Sequence, residues 1–216
     1  MSHHDHTSDL ADLFTRETWD ARYSESDRIW SGNPNPRLVE HVSNLPPGDA
    51  LDIGAGEGGD SVWLASQGWN VTALDVSTVA LGRTAAHAAD AGLGERVRTR
   101  EHDLLGDQPL PGTYDLVSAQ FMHPPADRLA EIVTRMGEAV RVGGVLLVVG
   151  HHPDDFTSGR RDAHGHPELL YTPDQLVATL DPRAWEVRVA DAPTREVGGP
   201  DGPELMTDTV VLAARR

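Results

Sequence analysis

The 216-residue chain carries 34 acidic and 18 basic side chains, a formal net charge of −16, which excludes a broad surface for nucleic-acid phosphates or anionic lipid because both would be repelled. It has no Cys, which excludes disulfides, Cys-ligated zinc, iron–sulfur clusters and thiol catalysis and permits a cytosolic address. The length suits a single α/β domain with a sizeable core.

Residues 1–8 are His-rich and read as a frayed start, with neither a basic nor an apolar targeting region. The longest apolar run, Val145 to Val149, is far short of the roughly 20 residues of a spanning helix. The expectation is a cytoplasmic chain with no membrane partner. Leu10 to Tyr23 has loosely helical apolar spacing, and Trp30 to Pro36 is a Pro-punctuated loop. Arg37 to Leu45 reads as a helix ended by Pro46-Pro47-Gly48. Ala50 to Ile53 is a first strand, Ser61 to Gln67 a helix, Asn70 to Leu74 a second strand. Ser77 is a plausible N-cap for an Ala-rich helix reaching about Ala91. Arg96 to Glu101 and Tyr114 to Ser118 are further strands. Ala126 to Val140 has helical spacing, and Gly143-Gly144 introduces the strand Val145 to Val149. A short helix from Thr172 to Leu180 precedes two late strands, Trp185 to Ala190 and Thr207 to Ala214, joined through Gly198 to Pro203.

Strands alternating with helices predict an α/β fold of Rossmann-like type: a seven-stranded, mostly parallel sheet with helices on both faces. The two late strands, joined without a helix, form a C-terminal antiparallel hairpin.

The strongest motif is Leu51-Asp-Ile-Gly-Ala-Gly-Glu-Gly-Gly-Asp60, a strand that ends in a glycine turn and enters a helix. Such a turn at the C-terminal edge of a sheet suits a nucleotide-type ligand. Three further features favour S-adenosylmethionine over NAD. Asp52 stands inside the strand just ahead of the glycines, where a carboxylate can meet an amino-acid ammonium. Asp75 ends the second strand and can chelate a ribose diol, as it could also in an NAD enzyme. Asp103 and Leu104, after the third strand, can meet an adenine amino group and pack on its ring. Each carboxylate alone is equally a helix cap or a surface charge; together they describe a zwitterion, a ribose and an adenine in chain order.

Leu51–Ala65, Val71–Ser77, Arg100–Leu105, Tyr114–Phe121 and Gly143–Gly150 resemble the successive motifs of the class I S-adenosylmethionine-dependent methyltransferases. The front segment, with Trp19-Asp-Ala-Arg-Tyr23 and Trp30-Ser-Gly-Asn-Pro-Asn-Pro36, resembles the small bacterial methyltransferases of the tellurite-resistance and thiopurine type. The resemblance implies methyl transfer to a small-molecule acceptor at a heterocyclic N or O or a soft S, Se or Te atom. It implies an N-terminal helical lid over residues 1–48 and a cofactor-binding core over residues 49–216, in a monomer or homodimer that takes no nucleic acid. It implies that Asp52, Gly54, Ala55 and Gly56 hold the methionine half, and that Asp75 and Val76 hold the ribose and flank the adenine. Asp103 and Leu104 would border the adenine amino edge, with Ala119 and Gln120 near the sulfonium. Trp30 either lies on the ligand or plugs the Pro loop; Trp19 and Tyr23 are expected to pack their helix onto the sheet.

His123, His151 and His152 follow the fourth and fifth strands, where a doubly wound sheet receives its substrate. They are candidate bases for an O–H or N–H acceptor, and equally ordinary loop histidines. His151, His152, His164 and His166 with Asp154, Asp155 and Asp162 have metal-ligand chemistry, and the same holds for His3, His4 and His6, but the spacing matches no metal motif, so no metal is assigned. The alternatives are a catalytically idle S-adenosylmethionine-binding module and an NAD-dependent oxidoreductase. The chain has no Lys to complete a Tyr–Lys hydride site.

Overall fold

The structure, a computed structural model, describes residues 13–157, 166–199 and 202–216. His3, His4, His6, Asp162 and His164 lie outside the described residues. In chain order the elements are α1 (Arg16–Ser24), α2 (Pro36–Val42), β1 (Asp49–Ile53), α3 (Gly59–Ser66), β2 (Asn70–Asp75), α4 (Thr78–Asp90), β3 (Val97–Glu101) and β4 (Tyr114–Gln120). They continue with α5 (Leu129–Glu138), β5 (Val140–His151), α6 (Pro153–Thr157), a 3-10 turn (Pro167–Leu169), α7 (Pro173–Val177), β6 (Trp185–Asp191), β7 (Thr194–Gly199) and β8 (Gly202–Arg215).

Local chemistry explains where the helices begin. The Thr15 side chain caps α1 by accepting from Thr18 N, and Asn35 caps α2 by accepting from Arg37 N, with Pro36 at the first helical position. Ser77 caps α4 through Ala80 N. Thr172 and Gln175 form a reciprocal capping box on α7.

The strands run in the order β3-β2-β1-β4-β5-β8-β6, and β7 pairs with β8. The first five positions are parallel, while β8 is antiparallel to β5, β6 and β7. There are thus eight strands among the described residues, against the seven expected. Pro193, which has no N–H for a ladder, separates β6 from a further strand. The Gly/Pro-rich connection therefore joins β7 to a lengthened β8 rather than β6 to β8.

Side-chain alternation sends the strands' apolar residues to two cores. On one face Leu51, Ile53, Val117, Leu146 and Val148 pack against Ile132, Val133 and Met136 of α5 and Leu176 of α7. On the other, Ala50, Leu116, Leu147 and Val149 pack against Leu38 and Val42 of α2, Leu64 and Ala65 of α3 and Ala88 of α4. The same alternation directs Asp52 to the α3 face. Burying one such Leu side chain contributes about 1.5–3 kcal/mol. The strand order reverses between β1 and β4, and ligands of open α/β sheets lie in the crevice this creates.

Tyr171 is buried against the sheet beside β5, and its hydroxyl donates to Met122 O at 2.8 Å. Only a glycine allows this approach: a Cβ on Gly150 would stand 2.6 Å from the Tyr171 hydroxyl oxygen and 2.7 Å from its ring. Gly150→Ala is therefore expected to destabilise the fold by about 1–3 kcal/mol, the usual range for overpacking, read as a lowered midpoint of chemical denaturation. An unchanged midpoint would show that Tyr171 moves aside freely.

Candidate functional site

The glycine turn leaves β1 with Gly54 and Gly56 at positive φ, 70° and 55°. Ala55 N donates to Leu74 O at 2.9 Å, tying the turn to β2. Beneath it lie three carboxylates. Asp52 is 2 % exposed and accepts from Ser61 Oγ of α3 at 2.6 Å. Asp75 accepts from Gly56 N and Ser77 N, both at 2.9 Å. Asp60 accepts from Asn35 N at 2.6 Å. Burial raises the pKa of all three. For Asp52, burial together with the Asp60 and Asp75 charges, and against the Ser61 hydrogen bond, pushes it up to about 7. Buried carboxylates crowded in this way favour a cation placed among them.

The N-terminal segment is fastened over this turn. Glu57, buried between the glycines, accepts from Ile29 N at 3.1 Å and Trp30 N at 2.8 Å and pairs with Arg83 at 2.6 Å. Burial would raise its pKa, but the Trp30 amide, Arg83 and the Ile29 amide outweigh that and hold it low. Arg83 also donates to Tyr23 O and Ser26 O. The Trp30 indole donates to the Tyr23 hydroxyl at 3.0 Å. A Cβ on Gly56 would stand 3.0 Å from that hydroxyl and 3.4 Å from the indole nitrogen, so Trp30 is brought to the glycine turn together with Tyr23. Tyr23 thus does more than pack its helix onto the sheet. On α1, Asp20 accepts from Ser77 Oγ, Thr78 Oγ1 and Val79 N.

Across the sheet edge, Val76 is half-buried beside Asp75. Asp103 accepts from Leu105 N at 2.9 Å, and Arg135 of α5 holds the carbonyls of Leu104 and Gly106. His102 Nε2 is buried without a hydrogen-bond partner. At the end of β4, Ala119 is buried beside Ile53 and Val148. Gln120 Nε2 donates to Ser118 Oγ at 2.7 Å, which leaves its buried Oε1 without a partner.

The next residue, Phe121, has φ 54°, a left-handed conformation that a bulky side chain rarely adopts and that marks sites where geometry matters more than relaxation. Its ring stacks on His151 at 4.3 Å, His151 stacks on His123 at 4.8 Å, and His123 tilts against Tyr171 at 5.6 Å. Met122 meets the glycine turn, 3.8 Å from a Cβ built on Gly54. His151 N donates to His123 Nε2 at 2.9 Å. That bond occupies the Nε2 lone pair, so the base role expected of His123 would require it to open. His152 turns to its neighbour, with Nδ1 accepting from Asp154 N at 3.2 Å. A cavity of ≈ 290 Å³ opens just past this loop, between Pro124, Leu129, Leu170, Tyr171 and Gln175. It shares no wall with Trp30, Phe121, Met122 or the three histidines. No group of three or more His, Asp or Glu that could hold a metal occurs among the described residues.

The comparisons agree with this geometry. A family model described as a methyltransferase domain matches residues 50–144. The chain is similar to a ribosomal RNA small subunit methyltransferase C of Alcanivorax borkumensis, 32% identical over 130 residues, covering 57% of this chain and 38% of that protein. It is similar to a ubiquinone biosynthesis O-methyltransferase of Xylella fastidiosa, 30% identical over 118 residues, covering 53% of this chain and 47% of that protein. The chain therefore spans less than half the length of these two relatives. A solved structure from work on conversion of a disulfide bond into a thioacetal group during echinomycin biosynthesis superposes with a TM-score of 0.71 at 25% identity, covering 93% of this chain and 91% of that one. TehB from Haemophilus influenzae shares the fold, with a TM-score of 0.68 at 19% identity, covering 93% of this chain and 67% of that one.

Such a methyltransferase domain would take S-adenosylmethionine as its methyl donor, and the residues present fit it. The carboxylates suit its cationic methionine end, the exposed Gly54 leaves backbone of the turn open to it, and the orphaned Gln120 Oε1 and His102 Nε2 are polar atoms awaiting partners. Tyr23, Glu57, Ser61 and Arg83 complete the surroundings of the turn. Of these only Glu57 and Ser61 stand within or next to the motif.

The raised Asp52 pKa gives a pH test with a definite sign. A carboxyl whose folded pKa lies above its unfolded value stabilises the fold less as pH rises through that interval. Asp52→Asn is therefore expected to raise the melting temperature of the ligand-free protein most at about pH 8, where the wild-type carboxyl is ionised in both states, and progressively less as pH falls through the interval from about 7 to the ordinary carboxylate range. The same variant should weaken S-adenosylhomocysteine binding by about 1–3 kcal/mol, and the wild-type affinity should climb as pH rises towards about 8 while that of the variant stays flat. Calorimetry across this pH interval checks both, and identical pH profiles would remove Asp52 from the site.

Proposed function

We propose that the chain transfers the methyl group of S-adenosylmethionine to a small-molecule acceptor seated beyond the ends of β4 and β5. The observation that carries this reading is the Gln120–Phe121–Met122 corner. It joins a buried, partnerless amide oxygen to a left-handed aromatic residue and then to a side chain lying against the glycine turn. Donor and acceptor would meet where the β1 and β4 loops touch, and the contact of Met122 with the glycine turn supports this corner as the meeting point.

Bound there, S-adenosylmethionine would supply a sulfonium-activated methyl group. Asp52 and Asp60 would hold the cationic end, Asp75 and Val76 would hold the ribose and flank the adenine, and Asp103 and Leu104 would border the adenine amino edge. Gln120 would orient the reacting end through its amide. Residues 13–48 would act as a lid, with Trp30 and Tyr23 over Gly56 excluding water; residues 1–12 of the expected lid lie outside the described residues. The protein's contribution is proximity and alignment, for which in-line transfer needs little else.

The acceptor atom is a heterocyclic N or O or a soft S, Se or Te. The His123 Nε2 lone pair engaged by the His151 amide favours an acceptor that needs no base. A nucleic-acid acceptor, as the name of the Alcanivorax relative indicates for that protein, is disfavoured by the net charge of −16, since each phosphate brought near would be repelled.

S-Adenosylhomocysteine is expected to raise the melting temperature and NAD to leave it unchanged, because a ligand that binds only the folded state stabilises it by mass action. Labelled S-adenosylmethionine offered with a panel of thiols, phenols and heterocycles should label at least one. Stabilisation by NAD alone would overturn the cofactor assignment; stabilisation by S-adenosylhomocysteine with no labelled product would leave an idle binding module.

The fastening of the lid makes a separate expectation. Glu57→Gln removes the charge that holds the Ile29 and Trp30 amides and Arg83. Hydrogen exchange at residues 26–30 should then quicken by about tenfold or more, in line with loss of a charge-assisted contact. Unchanged exchange there would show that the lid is held by other contacts.

A further inference from the structure

On β7, next to Phe121, stands an arginine that the methyl-transfer reading does not use. Arg195 Nε donates to both carboxylate oxygens of Asp208 at 3.0 Å, and its guanidinium lies over the Phe121 ring, 5.5 Å from the centroid. Asp208 is fully buried, at 0 % exposed, and sits opposite His151 in the β5–β8 ladder. It has a second partner, Arg37 of α2, whose Nε lies 3.2 Å away.

The two arginines differ in one respect. Every nitrogen of Arg37 is engaged: Nε with Asp208, Nη1 with Glu40 and Nη2 with Thr194 O. Arg195 is engaged at Nε alone, so both terminal nitrogens are without a partner among the described residues, and its side chain is 26% exposed. A guanidinium fixed at Nε by a buried carboxylate and placed over an aromatic ring has lost much of its rotamer freedom already. Its outward edge is then a pre-set fork, and carboxylates match such a fork with two parallel hydrogen bonds. Little further ordering is needed when the ligand arrives.

The position is as informative as the geometry. Phe121 directly follows Gln120, and Met122 then meets the glycine turn. A group held by Arg195 therefore lies one side chain away from the corner where the reacting atoms would meet. We propose that Arg195 is a specificity residue that anchors a carboxylate on a flat acceptor molecule, whose nucleophilic atom is thereby carried towards Gln120. The proposal rests on the methyltransferase reading, and it narrows the acceptor to small organic acids. In a chain of net charge −16 an unspecific anion is repelled, so a small carboxylate bound there is bound for a local reason.

Benzoate and benzamide, equal in shape and different in charge, are suitable probes. With the full chain saturated by S-adenosylhomocysteine, calorimetry is expected to show benzoate binding at least about tenfold more tightly than benzamide. Arg195→Gln should abolish that preference, Arg195→Lys should restore part of it, and neither should move the affinity for S-adenosylhomocysteine. Should Arg195→Gln unfold by exposing the Asp208 charge to poor pairing, the double variant Arg195→Gln/Asp208→Asn removes the two together and is tested in the same way. Equal binding of the two probes, no binding of either, or a benzoate preference that survives in the Gln variant overturns the proposal while leaving methyl transfer intact. Failure of S-adenosylhomocysteine to bind the wild-type chain overturns both.

Discussion

Buried and half-buried carboxylates accepting from backbone N–H groups hold the cofactor end of this molecule together. Asp75 fixes the glycine turn through Gly56 N and the start of α4 through Ser77 N. Asp60 fixes the Pro loop through Asn35 N, and Glu57 fixes the strap before it through the Ile29 and Trp30 amides. Removing a carboxylate from water is costly unless donors replace the lost solvent. Here those donors come from segments that would otherwise have no reason to approach β1. The excess of acid that marks the composition is thus partly structural, and its concentration under one turn creates a place where positive charge is welcome.

The two halves of the proposed site meet the sheet on one face. Asp52 and Gln120 both project towards the helices α2 and α3, because each sits an even number of residues from an apolar side chain buried on that face, Ala50 and Leu116 respectively. The β5 and β8 residues His151 and Asp208 continue the same face through Val149 and Val210. Strand alternation alone therefore gathers groups from four strands without help from loops. What loops add is closeness: the Phe121 corner and the strap at Trp30 each reach the glycine turn from opposite sides.

Much of this could be read from the chain. The β-α alternation, the Ser77 cap and the glycine turn are all local patterns, and local patterns survive folding when they agree with one another. Strand β7 was not legible, since Thr194 to Gly199 holds a single apolar side chain, Val197, and is recruited only by pairing with the front of β8. The same distinction runs through the site. Asp52, Asp75 and Asp103 stand at fixed offsets from strand ends. Arg83 acts on Tyr23 O across 60 residues and Arg37 on Asp208 across 171, separations that no spacing rule spans. Tyr23 and Arg195 escaped for another reason: their hydrogen-bond partners Trp30 and Asp208 are near in sequence, but what brings each pair to the site, Gly56 and Phe121, is not.

Strand β8 is the last strand in sequence, yet it lies inside the sheet between β5 and β6 and also carries β7 along its front half. Pairing β8 with β5 closes a long intervening segment before that contact rewards it, which makes it a slow kind of step. On a ribosome the first five strands can zip together while β8 is still unmade, leaving the outer edge of β5 without its neighbour. A nascent chain at that stage would have a finished glycine turn and an exposed apolar ladder beside it, the combination that chaperones recognise. Order of synthesis thus separates the two halves in time as the sheet separates them in space.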